Sequence, residues 1–98
     1  MYIAHFEDHP ASLHLRRLHA DAHAAYLSEN AALIAGEGVR FVDDLGNPKG
    51  AIWLINTTDR AAALQLCHGD PYWIHGLRSG VTLVAWRPTP YDLRVAHA

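Results

Sequence analysis

The chain is short of charge and cysteine, and it has no uninterrupted apolar run near the ~18 to 20 residues that a membrane-spanning helix needs. Each shortage excludes something. The single thiol, Cys67, cannot close an internal disulfide, and the opening Met1-Tyr2-Ile3-Ala4-His5-Phe6-Glu7-Asp8 meets charge too early for a secretory signal. A cytoplasmic location is expected, with no membrane partner. Beyond Arg16-Arg17 no basic cluster occurs, and a formal net charge of −2 offers no positive stripe for a phosphate backbone, so nucleic acid is not an expected partner. A glycine-rich nucleotide fingerprint is missing, and no Ser or Cys stands in a nucleophile elbow, which disfavours covalent catalysis.

What the chain has in excess is apolar side chain and histidine. At 98 residues it is expected to be one domain spanning 1–98, since halves would be too small to bury a core without disulfide or metal support. A hydrophobic fraction of 50% against 18% charged residues leaves more apolar surface than so small a domain hides, which points to oligomerisation. Eight histidines make the charge respond to pH between about 5 and 8.

Tyr2 to Asp8 alternates, with Tyr2, Ala4 and Phe6 on one side and Ile3, His5 and Glu7 on the other, the period of a half-buried strand. His9-Pro10 ends it, and Ser12 can cap a helix whose Leu15, Leu18, Ala22, Ala25 and Tyr26 form one core-facing stripe. The helix frays near Asn30. Ala31 to Val42 reads as an apolar strand interrupted at Gly36 and Gly38, which predicts a bulge or a close approach by something else. Asp43 to Gly50 is dense in turn residues. Ala51 to Asn56 forms a third strand, Thr57 or Thr58 caps a helix that runs through Cys67 to Gly69, and Asp70-Pro71 starts a further helical turn. Val81 to Arg87 is the last strand, before Pro88 and Pro90 end regular structure in a tail over 88–98. The order β-α-β-β-α-β is that of a ferredoxin-like α+β domain.

Ile52 and Leu54 point away from Trp53 and Ile55, and Leu83 points away from Val84 and Trp86, so both sheet faces are apolar. Two helices cover one face only. The other needs a partner, and a second copy is the simplest, giving a homodimer joined through some of Trp53, Ile55, Val84 and Trp86.

The chemistry-bearing residues are few. His23 sits at the edge of the helical stripe, where an imidazole can lean into a cavity and act as a general base. The bland alternative is a boundary histidine bonded locally. Asp70 can orient that imidazole and stabilise imidazolium, although Asp before Pro is also an ordinary helix cap. Asp8, at the mouth of the first strand, is the other available carboxylate. Arg16, His19 and His23 lie three and four residues apart along one line, so their heads can converge on one anion, or they can form a solvated edge. His19 and His23 have the spacing of a helical metal pair but lack a third ligand at motif spacing, so no metal is expected. Tyr72 and Trp73 can wall an aromatic pocket. Trp53, Trp86, Phe6 and Phe41 are expected in the core or a dimer interface.

Taken in order, the strand ending in Asp8, the helix carrying Ser12, Arg16 and His23 before Tyr26-Leu27, the Ala35-Gly36 that follows, a Gly-bounded third strand and Asp70-Pro71-Tyr72 resemble the YciI-like, YCII-related family over nearly the whole chain. That resemblance implies a ferredoxin-like fold that dimerises into an α+β barrel, and an active-site pair of the helix histidine, His23 here, with an aspartate. It implies proton-transfer chemistry on a small ring compound, of the kind its dehydrochlorinating relatives perform. Two positions depart from the family pattern: Ala20-Asp21 replaces an Arg-Pro, and Glu37 replaces a Pro after Ala-Gly.

The expected function is that of a small cofactor-free enzyme of lyase or isomerase type. His23 and Asp70 are the catalytic pair, and Asp8, Arg16, Tyr72 and Gly36 hold the small-molecule ligand. The alternative is a non-catalytic ligand-binding or dimeric interaction module, which His23 pointing into solvent would favour.

Overall fold

The computed structural model describes residues 1–87, without the side chains of 36–41. The predicted tail over 88–98 and the expected packing of Phe41 lie outside the described residues. Four strands, β1 (Tyr2–Asp8), β2 (Ile34–Val42), β3 (Pro48–Ile55) and β4 (Arg78–Ala85), form one sheet in the order β2-β3-β1-β4. Every neighbouring pair is antiparallel. A 3-10 turn at Pro10–Ser12 and the helices α1 (Leu15–Leu18) and α2 (Ala20–Glu29) join β1 to β2, while α3 (Arg60–His68) and α4 (Pro71–Ile74) join β3 to β4. Each connection skips one strand, which is the split βαβ arrangement of an α+β ferredoxin-like fold. Connections of this kind turn right-handed, so both sets of helices fall on one face of the sheet.

That rule decides where the apolar alternation points. Ala4, Phe6, Trp53, Ile55 and Leu83 face the helices and pack with Ala63, Leu66 and Cys67 of α3. The Phe6 and Trp53 rings meet edge to face, with centroids 4.6 Å apart. Leu54 and Val84 remain exposed on the opposite face, with Ile3 and Ile52 half-buried between them, and Trp86, one residue past β4, is exposed as well. Trp53 and Ile55 are therefore core residues and cannot belong to an interface through the open face, where the alternation alone had allowed them.

The first helix departs from its simple pattern. His19, at φ −115° and ψ 13°, breaks it into α1 and α2, and Ser12 makes no cap. Tyr26 keeps its inward place and His19, His23, Leu27 and Asn30 join it in a half-buried stripe, while Leu18, Ala22 and Ala25 are exposed. Asp59, rather than Thr57 or Thr58, caps α3 by accepting from the Ala61 amide at 2.9 Å. In the hairpin turn Asp43 accepts from the Leu45 and Asn47 amides, both at 2.9 Å, and Gly46 takes φ 84°. β2 carries three register shifts, two of them flanking Gly36 where an irregularity is predicted and the third between Phe41 and Val42, and β4 runs from Arg78 to Ala85 rather than from Val81 to Arg87.

Candidate functional site

Asp70 stands at the corner between α3 and α4, and ordinary local chemistry puts it there. Its Oδ1 accepts from the Tyr72 amide at 3.1 Å, with Pro71 in the first helical position. Gly69 lets α2 approach this corner closely, because a Cβ there would run into the Tyr26 hydroxyl. That hydroxyl donates to the Leu66 carbonyl at 2.6 Å and ties α2 to the end of α3. The contact brings His23 over the corner, with its Nδ1 at 2.7 Å from Asp70 Oδ1. An ionised carboxylate only accepts, so the neutral imidazole carries its hydrogen on Nδ1 and leaves the Nε2 lone pair free. The Tyr72 ring backs the imidazole, stacked at 4.0 Å and 15°.

Asp8 belongs to the same network. It accepts from Arg16 Nη2 at 2.6 Å and from Arg78 Nη1 at 2.8 Å, and Arg78 Nη2 lies 3.5 Å from Asp70 Oδ2. A chain of charge thus runs from Arg16 through Asp8, Arg78 and Asp70 to His23. The side chains of Asp8 and Asp70 are 0% exposed and that of Arg78 1%, whereas Arg16 and His23 each keep 16%. A ligand can meet only the two ends of the chain. A separate cleft of about 490 Å³, lined by His5, Glu7, Asp8, Pro10 and Lys49, includes neither Arg16 nor His23, and its His5 and Glu7 alternate with the residues that face the helices.

Burial, reinforced by the nearby Asp70 charge, pushes the Cys67 thiol up to about 12, with partial relief from Arg78. Cys67 is accordingly a poor nucleophile. Burial also raises the Tyr26 and Tyr72 hydroxyls; Asp70 adds to both effects, and Arg16 and Arg78 oppose the one at Tyr72.

Several of the predicted residues meet here. His23, Asp70, Asp8, Arg16 and Tyr72 form one cluster, with the Tyr72 hydroxyl donating to the Arg16 carbonyl at 3.1 Å. Gly36 stands apart on edge strand β2, opposite Leu54. Arg16, His19 and His23 do not converge on one anion: Arg16 takes Asp8, His23 takes Asp70, and His19 stacks on His75 at 3.8 Å. Trp73 turns to His68 at 4.6 Å instead of walling the site. Ala20 and Asp21, at the family's Arg-Pro position, are both exposed. No group of three or more His, Cys, Asp or Glu able to hold a metal occurs among the described residues.

The sequence reading missed Arg78. From Tyr2 to Glu7 the β1–β4 register is regular, but it shifts between Glu7 and Asp8, so that Asp8 faces Arg78 rather than Ser79. By alternation Arg78 shares the face of Thr82 and Val84, and the bulge turns it inward. The one signal in sequence was an isolated arginine ahead of Ser79-Gly80.

The four-stranded antiparallel sheet with its helices on one face places this chain in the class of small ferredoxin-like α+β proteins. Within that class the chain belongs to the YCII-related family, whose model matches residues 1–87. Among solved structures it is similar to the 5-chloro-2-hydroxyhydroquinone dehydrochlorinase of Burkholderia phenoliruptrix AC1100 in complex with 2,5-dihydroxybenzoquinone. The two are 22% identical, with a TM-score of 0.76 covering 93% of this chain and 98% of the other. No curated protein matches it.

Proposed function

We propose that this chain is a small lyase or isomerase in which His23 transfers a proton on a small ring compound, working without a cofactor and as a cytoplasmic homodimer. The observation that carries this reading is the 2.7 Å contact between His23 Nδ1 and the fully buried Asp70 carboxylate. Asp70 holds the tautomer that leaves Nε2 as the base, and it stabilises the imidazolium once the proton has moved. Arg16, at the other exposed end of the chain of charge, offers a cation to the oxygen on which negative charge develops. Tyr72 keeps the imidazole plane fixed. An enclosed imidazole beside a carboxylate favours an enzyme over a module whose histidine only meets solvent.

Family membership and the fold shared with a dehydrochlorinase support a ring substrate. In an elimination of that type the base takes a proton, the electron pair forms the new double bond, and chloride departs. The dimer is supported by the exposed Leu54 and Val84 on the helix-free face, which a second copy would cover together with the exposed Trp86 just past β4.

The test is chloride release from 5-chloro-2-hydroxyhydroquinone by the parent chain, His23→Ala and Asp70→Asn. Turnover by the parent and a loss of about 10² to 10⁴ in His23→Ala, with the fold intact, is the expected result. If 2,5-dihydroxybenzoquinone binds but the parent turns nothing over, the ligand-binding reading takes its place.

A further inference from the structure

We infer that Arg78 is the positioning residue of this site, locking the Asp70 carboxylate in the orientation that serves His23 and cancelling the charge that would otherwise draw a proton onto the resting imidazole. This inference deepens the His23–Asp70 reading and rests on it.

The guanidinium is placed for the task. Its side chain is 1% exposed, and its fork reaches both carboxylates, Asp8 Oδ1 through Nη1 at 2.8 Å and Asp70 Oδ2 through Nη2 at 3.5 Å. The Phe6 ring lies 4.6 Å from its Cζ and the Tyr72 ring 5.2 Å, so aromatic faces hold its plane. With Oδ2 turned toward Arg78, Oδ1 is left for His23 Nδ1 and the Tyr72 amide. Oδ2 and Arg78 Nε make no hydrogen bond, so the link between the two side chains is one of charge. An ammonium group lacks the planar fork that spans two carboxylates at once.

The charge count points the same way. Among the described residues, the ionisable groups that interact with the pair or with its partners are Asp8 on β1, Arg16 on α1, Tyr26 on α2, Cys67 on α3, Tyr72 on α4 and Arg78 on β4. Burial keeps the two tyrosines and the thiol neutral at physiological pH. Two arginines then balance two carboxylates, and the network is neutral before His23 is counted. Without Arg78 one negative charge is unmatched beside the imidazole, which favours imidazolium at rest and removes the base.

Long-range ¹H–¹⁵N correlation spectra of the histidines, followed through a pH titration of the full chain, test this without a substrate. The parent is expected to show His23 with its hydrogen on Nδ1. Arg78→Gln should weaken that preference and raise the His23 titration midpoint by about one pH unit. Arg78→Lys, which keeps the charge but not the fork, should leave the midpoint close to the parent's while still weakening the preference. If Arg78→Gln matches the parent in both readouts while Asp70→Asn changes them, Arg78 has no positioning role and the inference is overturned, although the His23–Asp70 pair stands. If Asp70→Asn also changes nothing, the pair itself is absent and both readings fall. Should Arg78→Gln fail to fold, Arg78→Lys decides: a tautomer preference equal to the parent's overturns the inference, and a weakened one at an unchanged midpoint supports it.

Discussion

Trp53 lies within β3 and Trp86 one residue past the end of β4, and their fates differ. Trp53 is 1% exposed beneath the helices, with Phe6 against its edge and His23 and Tyr26 beyond its face, whereas Trp86 is 47% exposed, like Val84 on the face no helix covers. Strand alternation treats the two residues alike, as large apolar side chains in half-buried strands. The difference teaches that the handedness of the connections, rather than side-chain character, selects the face that becomes core and site. The open face keeps its apolar surface for another use.

The two tryptophans should respond very differently to truncation. Trp53→Ala should cost about 3 to 5 kcal/mol of folding stability, as large-to-small changes of buried aromatics do. Trp86→Ala should cost the isolated subunit less than about 1 kcal/mol. Urea unfolding of both variants measures this, and equal losses would mean that the two faces are not differently used.

A loss of similar size is expected within the chain of charge. Asp8→Asn leaves the Arg16 and Arg78 guanidinium groups poorly matched in a sealed setting, where breaking a buried pair costs about 3 to 5 kcal/mol. The same unfolding measurement checks it, and a loss under 1 kcal/mol would show that Asp8 does not hold the two arginines in solution.

Val84→Asp sharpens the contrast from the open side. If a second copy covers that face, a buried carboxylate there should dissociate the dimer at micromolar concentration and leave the far-ultraviolet circular dichroism of the subunit unchanged. Light scattering would read about twice the 10.8 kDa chain mass for the parent and once that mass for the variant. A variant that stays dimeric would place the interface elsewhere.

The covered face also predicts a response to alkali. The Cys67 thiol, pushed by burial and by Asp70 from 9.0 up to about 12, stays protonated in the folded chain after an unfolded thiol has lost its proton. Its folded value is raised, so the stability it contributes is intact below pH 9 and is lost as pH rises toward 12. The urea midpoint should fall across that window, and less steeply in Cys67→Ala. An equal slope in the two chains would assign the alkaline loss to Tyr26 and Tyr72, whose hydroxyls burial shifts in the same direction. The smallest effect belongs to Leu18, which is 70% exposed at the end of α1, and Leu18→Ser should stay within about 0.5 kcal/mol of the parent.

By itself, the amino-acid sequence determined the order of elements, because the first, third and fourth strands show period two and His9-Pro10, the turn residues 43–50 and Gly69 break the chain between elements, even though the expected caps were not the ones used. It also determined that His23 and Asp70 were the groups to watch, since an imidazole at a helical boundary and an Asp-Pro turn are local features. The break at His19 was not legible: Leu18, Ala22 and Ala25 share a plausible stripe with Tyr26 on an unbroken helix, and only contact with the α3–α4 corner turned His19 and His23 inward in their place. Alternation likewise gave two apolar sheet faces without saying which was covered, because period two is symmetric about the strand and the choice lies in the crossover connections. Arg78 was beyond local reading altogether. A one-residue register shift opposite Asp8 turned it from the open face into the interior, and such a shift is a property of two paired strands that neither strand carries alone.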